Sequence, residues 1–246
     1  MDSDRPAEAA RIIEYEPGDL TCIVEAGMRL SELAAVLAEH GQRLSLDPPG
    51  DPTLEECVLE DLSGPLRHRF GTMRDLVIGV TMVLADGTRA NSGGKVVKNV
   101  AGYDLGKLLC GSRGRLGTLE RVALRLHPLP ACARTVAIDA SRWPALHRSQ
   151  IVPSAVDLVD GRLHVLVEGS ERSVAAQIAA LDGDACEPWA EIRELQATLP
   201  GRRRWEPGED APLVRPGPRV AHTADAANET WSPLAERIVE AMWTRT

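Results

Sequence analysis

Residues 93–117 read Gly93-Gly94-Lys95-Val96-Val97-Lys98-Asn99-Val100-Ala101-Gly102-Tyr103-Asp104-Leu105-Gly106-Lys107-Leu108-Leu109-Cys110-Gly111-Ser112-Arg113-Gly114-Arg115-Leu116-Gly117. Seven glycines are interleaved here with cationic and amide side chains, a composition that suits backbone lying close to something flat, polar or anionic. Between Gly102 and Gly111 the residues Leu105, Leu108 and Leu109 share a helical face, which predicts a short helix over Tyr103 to Leu109 with a loop on either side.

Working outward, Val77 to Leu84 alternates and is rich in β-branched residues. Ala85-Asp86-Gly87-Thr88 is a hairpin turn, and Thr88 to Ser92 returns to deliver Gly93. On the other side Thr118 to Leu126 alternates, with Val122, Leu124 and Leu126 on one face, and Pro128 and Pro130 close it. Towards the N-terminus, Arg11 to Glu16 and Asp19 to Ala26 read as strands joined at Pro17-Gly18. Leu30, Leu33, Ala34 and Leu37 then recur at helical spacing, with Ser31 competing for a cap and Gly41 supplying the stop.

Pro128 to Arg134 reads as a domain junction. Beyond it come a strand at Thr135 to Asp139, a short helix at Ser141 to Ser149, and a hairpin of Ala155 to Val159 with Arg162 to Glu168 around Asp160-Gly161. A helix capped by Ser170 follows, ending at Gly183, then a second helix around Trp189 to Leu195. Pro200 to Pro218, dominated by arginine, proline and glycine, reads as an irregular loop, and Pro233 to Trp243 as a closing helix.

Composition narrows the classes. The chain of 246 residues is 43% hydrophobic and 26% charged, the profile of a globular protein with one large or two small cores. A net charge of −8 without a basic run argues against nucleic acid or an anionic membrane as partner. Cys22, Cys57, Cys110, Cys132 and Cys186 are widely spaced and odd in number, which fits reduced thiols in a cytoplasm and matches no iron–sulfur spacing. No apolar window approaches the ~20 residues of a membrane span, so the expected location is cytoplasmic.

The run from Gly93-Gly94-Lys95 through Asn99 and Gly102-Tyr103-Asp104, followed by Gly111-Ser112-x-Gly114-x-Leu116-Gly117, resembles the FAD-binding domain of the vanillyl-alcohol-oxidase-type (PCMH-type) flavoproteins. Within that family it is most similar to the FAD-binding subunits of bacterial glycolate oxidases. The likeness continues in Val24-Glu25-Ala26-Gly27, Leu46-Asp47-Pro48-Pro49-Gly50-Asp51-Pro52, Ser63-Gly64-Pro65-Leu66-Arg67, Arg74 to Gly79 and Leu124 to Pro130, covering about residues 11–130 and more weakly to 196. It implies an α+β fold: a PCMH-type FAD-binding domain at 11–130 with a mainly antiparallel sheet, and a shortened cap-like α+β domain at 131–246. It also implies non-covalent FAD held by Pro49, Gly50, Asp51, Ser63, Gly64, Gly94, Lys95, Asn99, Gly102, Tyr103, Gly111, Ser112, Gly114 and Gly117, with 93–117 lining the largest concavity. The activity implied is oxidation of a 2-hydroxy acid, beside a second flavin subunit and an iron–sulfur subunit.

Two departures qualify that expectation. Where relatives carry a Gly-Gly pair, this chain has Glu55-Glu56, whose carboxylates either oppose the pyrophosphate or decorate a surface helix. Nothing before Arg11 supplies the family's additional βαβ-like subdomain, so the chain is expected to be N-terminally shortened and to hold half of the pyrophosphate cradle. A non-catalytic scaffold with weak FAD binding is the alternative. From the residues alone, Lys95 and Lys98 are solvated loop lysines or anion contacts, Asp104 is a helix cap, and the six histidines are surface or packing residues. Neither a catalytic base nor a metal site is readable.

Overall fold

A computed structural model of the chain describes residues 10–84, 86–93 and 105–225. It divides into two compact units: residues 1–45, 51–63 and 72–129 form the first, and 46–50, 64–71 and 130–246 the second. Leu46–Gly50 and Gly64–Gly71, which the sequence reading left with the first domain, cluster with the second.

In chain order the first unit holds β1 (Ile12–Glu16), β2 (Thr21–Glu25), α1 (Leu30–Glu39), β3 (Gln42–Arg43) and α2 (Leu54–Leu59). The one-turn helix α3 (Arg67–Phe70) belongs to the second unit. The first then continues with α4 (Met73–Leu76), β4 (Val77–Val83), β5 (Arg89–Gly93), α5 (Leu105–Leu109), β6 (Thr118–Arg125) and β7 (His127–Pro128).

Its main sheet runs β1-β2-β6-β4-β5, antiparallel throughout. The register Cys22↔Leu124, Val24↔Val122 and Val80↔Val122 stacks the alternating apolar residues on one face, where all five are buried. Helix α1 adds Leu33 and Leu37, both fully buried and each contributing about 1.5–3 kcal/mol relative to exposure. Gly41, at φ 64°, follows the end of α1. The turn before β5 is tied by the Asp86 carboxylate, which accepts from Thr88 N at 2.8 Å. Gly93 sits at φ 77°, where a Cβ would lie 2.2 Å from the Ile78 carbonyl oxygen, so this end of the hairpin admits only glycine.

The second unit contains α3, β8 (Cys132–Asp139), α6 (Trp143–Arg148), β9 (Ala155–Val159), β10 (Arg162–Gly169), α7 (Glu171–Leu181), β11 (Asp184–Ala185), α8 (Trp189–Ala197), β12 (Gly201–Arg204), β13 (Leu213–Arg215) and β14 (Val220–Thr223). Its sheet has seven strands in the order β11-β8-β10-β9-β13-β14-β12. The β9–β10 hairpin turns at Asp160 (φ 49°) and Gly161 (φ 74°), the two left-handed positions of a type I′ turn. One face packs Val136, Ile138, Val156, Leu163, Val165 and Val167 against Leu146 of α6 and Val174 and Leu181 of α7. Ser170 caps α7, accepting from Ser173 N at 3.3 Å.

The region 200–218 corrects the sequence reading. Instead of an irregular loop it supplies β12 and β13, which with β14 complete the sheet. These strands are three or four residues long, β12 reading Gly-Arg-Arg-Arg, β13 Leu-Val-Arg and β14 Val-Ala-His-Thr, so no alternation of apolar residues marks them. The closing helix expected at 233–243 lies outside the described residues.

Candidate cofactor site and a buried charge network

In the first unit the Gly111–Gly117 loop is built from left-handed turns: Gly111 at φ 77°, Arg113 at 52° and Gly114 at 74°. Gly111 N donates to Val58 O at 3.0 Å and Arg113 N to Leu59 O at 2.9 Å, so the loop closes the C-terminal end of α2. Ser112 N, Arg115 N and Gly117 N also donate to chain carbonyls, at 3.0, 3.1 and 3.4 Å. The resemblance implies that residues of this loop hold FAD. Among the described residues only Gly114 and Leu116 within it have N–H groups without such a bond. The Ser112 side chain is fully buried and its Oγ has no hydrogen-bond partner among the described residues. Among the described residues nothing lies within 4 Å of where a Gly114 Cβ would stand. Gly117 answers to packing instead, since a Cβ would fall 2.2 Å from Val83 O.

Asp51, expected at the cofactor, serves α1. Its carboxylate accepts from Ser31 N at 2.9 Å and Ser31 Oγ at 2.8 Å, and these bonds hold its pKa below the usual carboxylate range. Ser31 is therefore the donor, and not the cap that its residue type suggested. Glu55 and Glu56 lie in the first turn of α2. Glu56 is exposed and forms a capping box: its carboxylate accepts from Thr53 N at 2.7 Å, while Glu56 N donates to Thr53 Oγ1 at 3.2 Å. Ser63 is buried.

In the second unit Pro49 is half-buried and Gly50 is exposed at φ 69°, with nothing within 4 Å of a would-be Cβ. Gly64 is fixed by packing: a Cβ would stand 1.8 Å from Asp47 O. The Asp47 carboxylate accepts from Leu66 N at 3.0 Å and has Arg193 Nη1 at 3.9 Å; burial pushes its pKa up to about 7. Gly94, Lys95, Asn99, Gly102 and Tyr103 lie outside the described residues, as does the cap assigned to Asp104.

The second unit also holds a network that the sequence reading missed. The pairing His164↔Asp157 and the β13–β14 register place Asp157, His164, Arg215 and His222 on the sheet face opposite α6 and α7. Arg215 and Asp157 are fully buried and His222 is 4% exposed. Arg215 Nε donates to both Asp157 oxygens at 3.2 Å, Nη2 donates to Gln196 Oε1 of α8 at 2.7 Å, and Nη1 meets His222 Nε2 at 2.9 Å. Burial and the neighbouring guanidinium depress His222 to about 3, so it is neutral and Nε2 accepts the Arg215 proton. His68 is likewise lowered by burial, to about 4. One signal was available: a carboxylate at the centre of the apolar strand Ala155-Val156-Asp157-Leu158-Val159 must be paired when that strand is buried.

The FAD binding domain family matches residues 7–93. Over 218 residues the chain is 33% identical to glycolate oxidase subunit GlcE of Escherichia coli, covering 82% of this chain and 62% of that one. It is 32% identical over 168 residues to the mitochondrial D-lactate dehydrogenase (cytochrome) 1 of Saccharomyces cerevisiae, covering 65% of this chain and 28% of that one. Over 167 residues it is 29% identical to glycolate oxidase subunit GlcD of Bacillus subtilis, covering 64% of this chain and 36% of the relative. The chain thus spans at most 62% of the length of these relatives. A crystal structure of alkyldihydroxyacetonephosphate synthase shares the fold with a TM-score of 0.58 at 16% identity, over 70% of this chain and 41% of that one. Residues 7–93 match the FAD binding domain family, and the chain is similar to glycolate oxidase subunits and D-lactate dehydrogenases.

Proposed function

We propose that the chain binds FAD without a covalent bond and serves the oxidation of a small 2-hydroxy acid, as one subunit of a glycolate-oxidase-like assembly. The similarity to GlcE across 82% of the chain carries this reading. The described residues fit the cofactor: a buried Ser112 hydroxyl without a hydrogen-bond partner among them and left-handed backbone at Gly114 are features a polar, flat group can use. FAD, when bound, supplies the two-electron acceptor. In this proposal Ser112 and Gly114 contact the cofactor.

The partners proposed are a second flavin subunit, of the kind GlcD represents, and an iron–sulfur subunit, in a cytoplasmic complex. Among the described residues no helix is long and apolar enough to cross a membrane. Co-expression with those subunits, followed by flavin analysis of this chain and anaerobic addition of glycolate or D-lactate, tests the reading. Stoichiometric FAD that bleaches with either acid is the expected result; a chain that takes up no flavin, alone or in the complex, overturns it.

A further inference from the structure

We infer that α2 is a positioning element for the cofactor loop, with the Thr53–Glu56 capping box holding Gly111–Gly117 in its working conformation. The inference rests on the FAD reading above and goes beyond it, because α2 stands where the family resemblance expects a glycine pair against the cofactor. In this chain the pair is replaced by Glu55-Glu56 and a capped helix.

The helix is only six residues long, too short to persist by its own hydrogen bonds. Three things hold it. Leu54, Cys57 and Val58, at i, i+3 and i+4, are fully buried. At its N-terminal end Leu54 N and Glu55 N donate to Met28 O and Ala26 O at 2.9 and 2.8 Å, and the capping box satisfies Glu56 N and Thr53 N. At its C-terminal end Val58 O accepts from Gly111 N at 3.0 Å as well as from Asp61 N at 3.2 Å, and Leu59 O accepts from Arg113 N at 2.9 Å.

The loop therefore takes its position from the last turn of α2. Arg113 is a non-glycine residue at φ 52°, a conformation disfavoured in isolation, and its N–H bond to Leu59 is what holds it there. The Glu60–Arg113 pair at 3.6 Å is half-exposed and adds little. Ser112, with its buried hydroxyl, lies between the two anchored residues. Fraying α2 from its N-terminal end shifts the carbonyls at 58 and 59 and releases both anchors together. On this reading Glu56 acts through the loop, and its carboxylate does not meet the cofactor.

Glu56→Ala removes both carboxylate bonds of the box, whereas Glu56→Gln keeps an oxygen that accepts from Thr53 N. Thr53→Ala is milder, since the Thr53 N–Glu56 bond survives, and it keeps the test available if Glu56→Ala folds poorly. In flavin-free protein the Gly111 and Arg113 amides should exchange about tenfold faster in Glu56→Ala than in the natural chain, and near the natural rate in Glu56→Gln. FAD affinity, read by flavin fluorescence, should fall about tenfold in Glu56→Ala and be retained in Glu56→Gln.

Unchanged exchange at Gly111 and Arg113 in Glu56→Ala would overturn the inference. So would tighter FAD binding in both Glu56 variants, because that places the carboxylate against the cofactor. A uniform rise in exchange across the first unit with unchanged FAD affinity would reduce α2 to general scaffolding and also overturn it. If the natural chain binds no FAD, the proposed function fails, while the exchange measurement still decides the coupling.

Discussion

Replacing Arg215 by methionine removes a guanidinium whose three nitrogens serve Asp157, His222 and Gln196 at 2.7 to 3.2 Å. Methionine fills much of the volume but leaves Asp157, fully buried, without its counter-charge. Removing one partner of a buried pair costs about 3–5 kcal/mol, against the roughly 5–15 kcal/mol that holds a typical domain folded. With a urea dependence of about 2 kcal/mol per molar, a loss of about 4 kcal/mol moves the unfolding midpoint down by roughly 2 M. Tryptophan fluorescence reports on the second unit, to which the described tryptophans Trp143, Trp189 and Trp205 belong. Arg215→Lys should recover little, since one ammonium cannot address three partners across β9, β14 and α8. Asp157→Leu combined with Arg215→Met should cost less than the two single changes added together, because no buried charge is then stranded. A midpoint shift below roughly 0.5 M for Arg215→Met would falsify the assignment of this network as a major source of the second unit's stability.

The remaining expectations concern protons, thiols and backbone. His222 and His68 titrate at about 3 and 4 in the fold, below the ordinary histidine value of 6.5. The stability they contribute is present above pH ~6.5 and is lost as pH falls towards those values, so acid unfolding should begin near pH 6 and be reduced in His222→Asn. Asp47 is displaced the other way, to about 7, so its contribution is complete below pH ~4 and lost as pH rises through about 7. Asp47→Asn, which retains an acceptor for Leu66 N, should gain stability over the natural chain between pH 5 and pH 8 in urea titrations. Cys22 and Cys57 are buried with thiols pushed up to about 12, so a thiol-reactive dye should label Cys110, Cys132 and Cys186 in the native protein and spare those two. Gly64→Ala should destabilise by about 2 kcal/mol or more, read as a lower thermal midpoint, because its Cβ would stand 1.8 Å from the Asp47 carbonyl oxygen, a backbone atom that cannot swing aside.

The elements written in local chemistry were legible from the sequence. Asp160-Gly161 sets a turn by its own conformational preference, and the apolar stripe of α1 and the alternation of β4 and β6 name their buried faces. What escaped was written in partners far away along the chain. Arg215 lies in a stretch of arginine, proline and glycine that looks like loop, and its meaning depends on Asp157, 58 residues earlier. Strands β12 and β13 exist because β14 and β9 offer them ladders, and no periodicity in three or four residues announces that. At Gly64 and Gly117 chain packing by itself demands glycine, since a Cβ would meet the Asp47 and Val83 carbonyl oxygens at 1.8 and 2.2 Å. The resemblance implies Asp51 at the cofactor and leaves Glu56 either against the pyrophosphate or on a surface helix; in the fold the oxygens of both cap helices, α1 and α2. Carboxylates near helix starts are the residue type for which these two uses look alike in sequence.

The assignment of Leu46–Gly50 and Gly64–Gly71 to the second unit bears on how the protein can be made and divided. A gene cut at the apparent junction near residue 130 encodes a downstream fragment that lacks Asp47, Leu66 and α3, so it should emerge insoluble unless the missing stretches are supplied. During synthesis those two stretches leave the ribosome long before β8 to β14 exist to receive them. Residues 46–50 and 64–71 must then wait for roughly a hundred further residues, so completion of the second unit is a late, long-range event that follows folding of the first. Split-gene complementation should accordingly succeed only when the break falls outside 46–71, and the same interleaving makes exchange of this half between relatives by a single crossover unproductive.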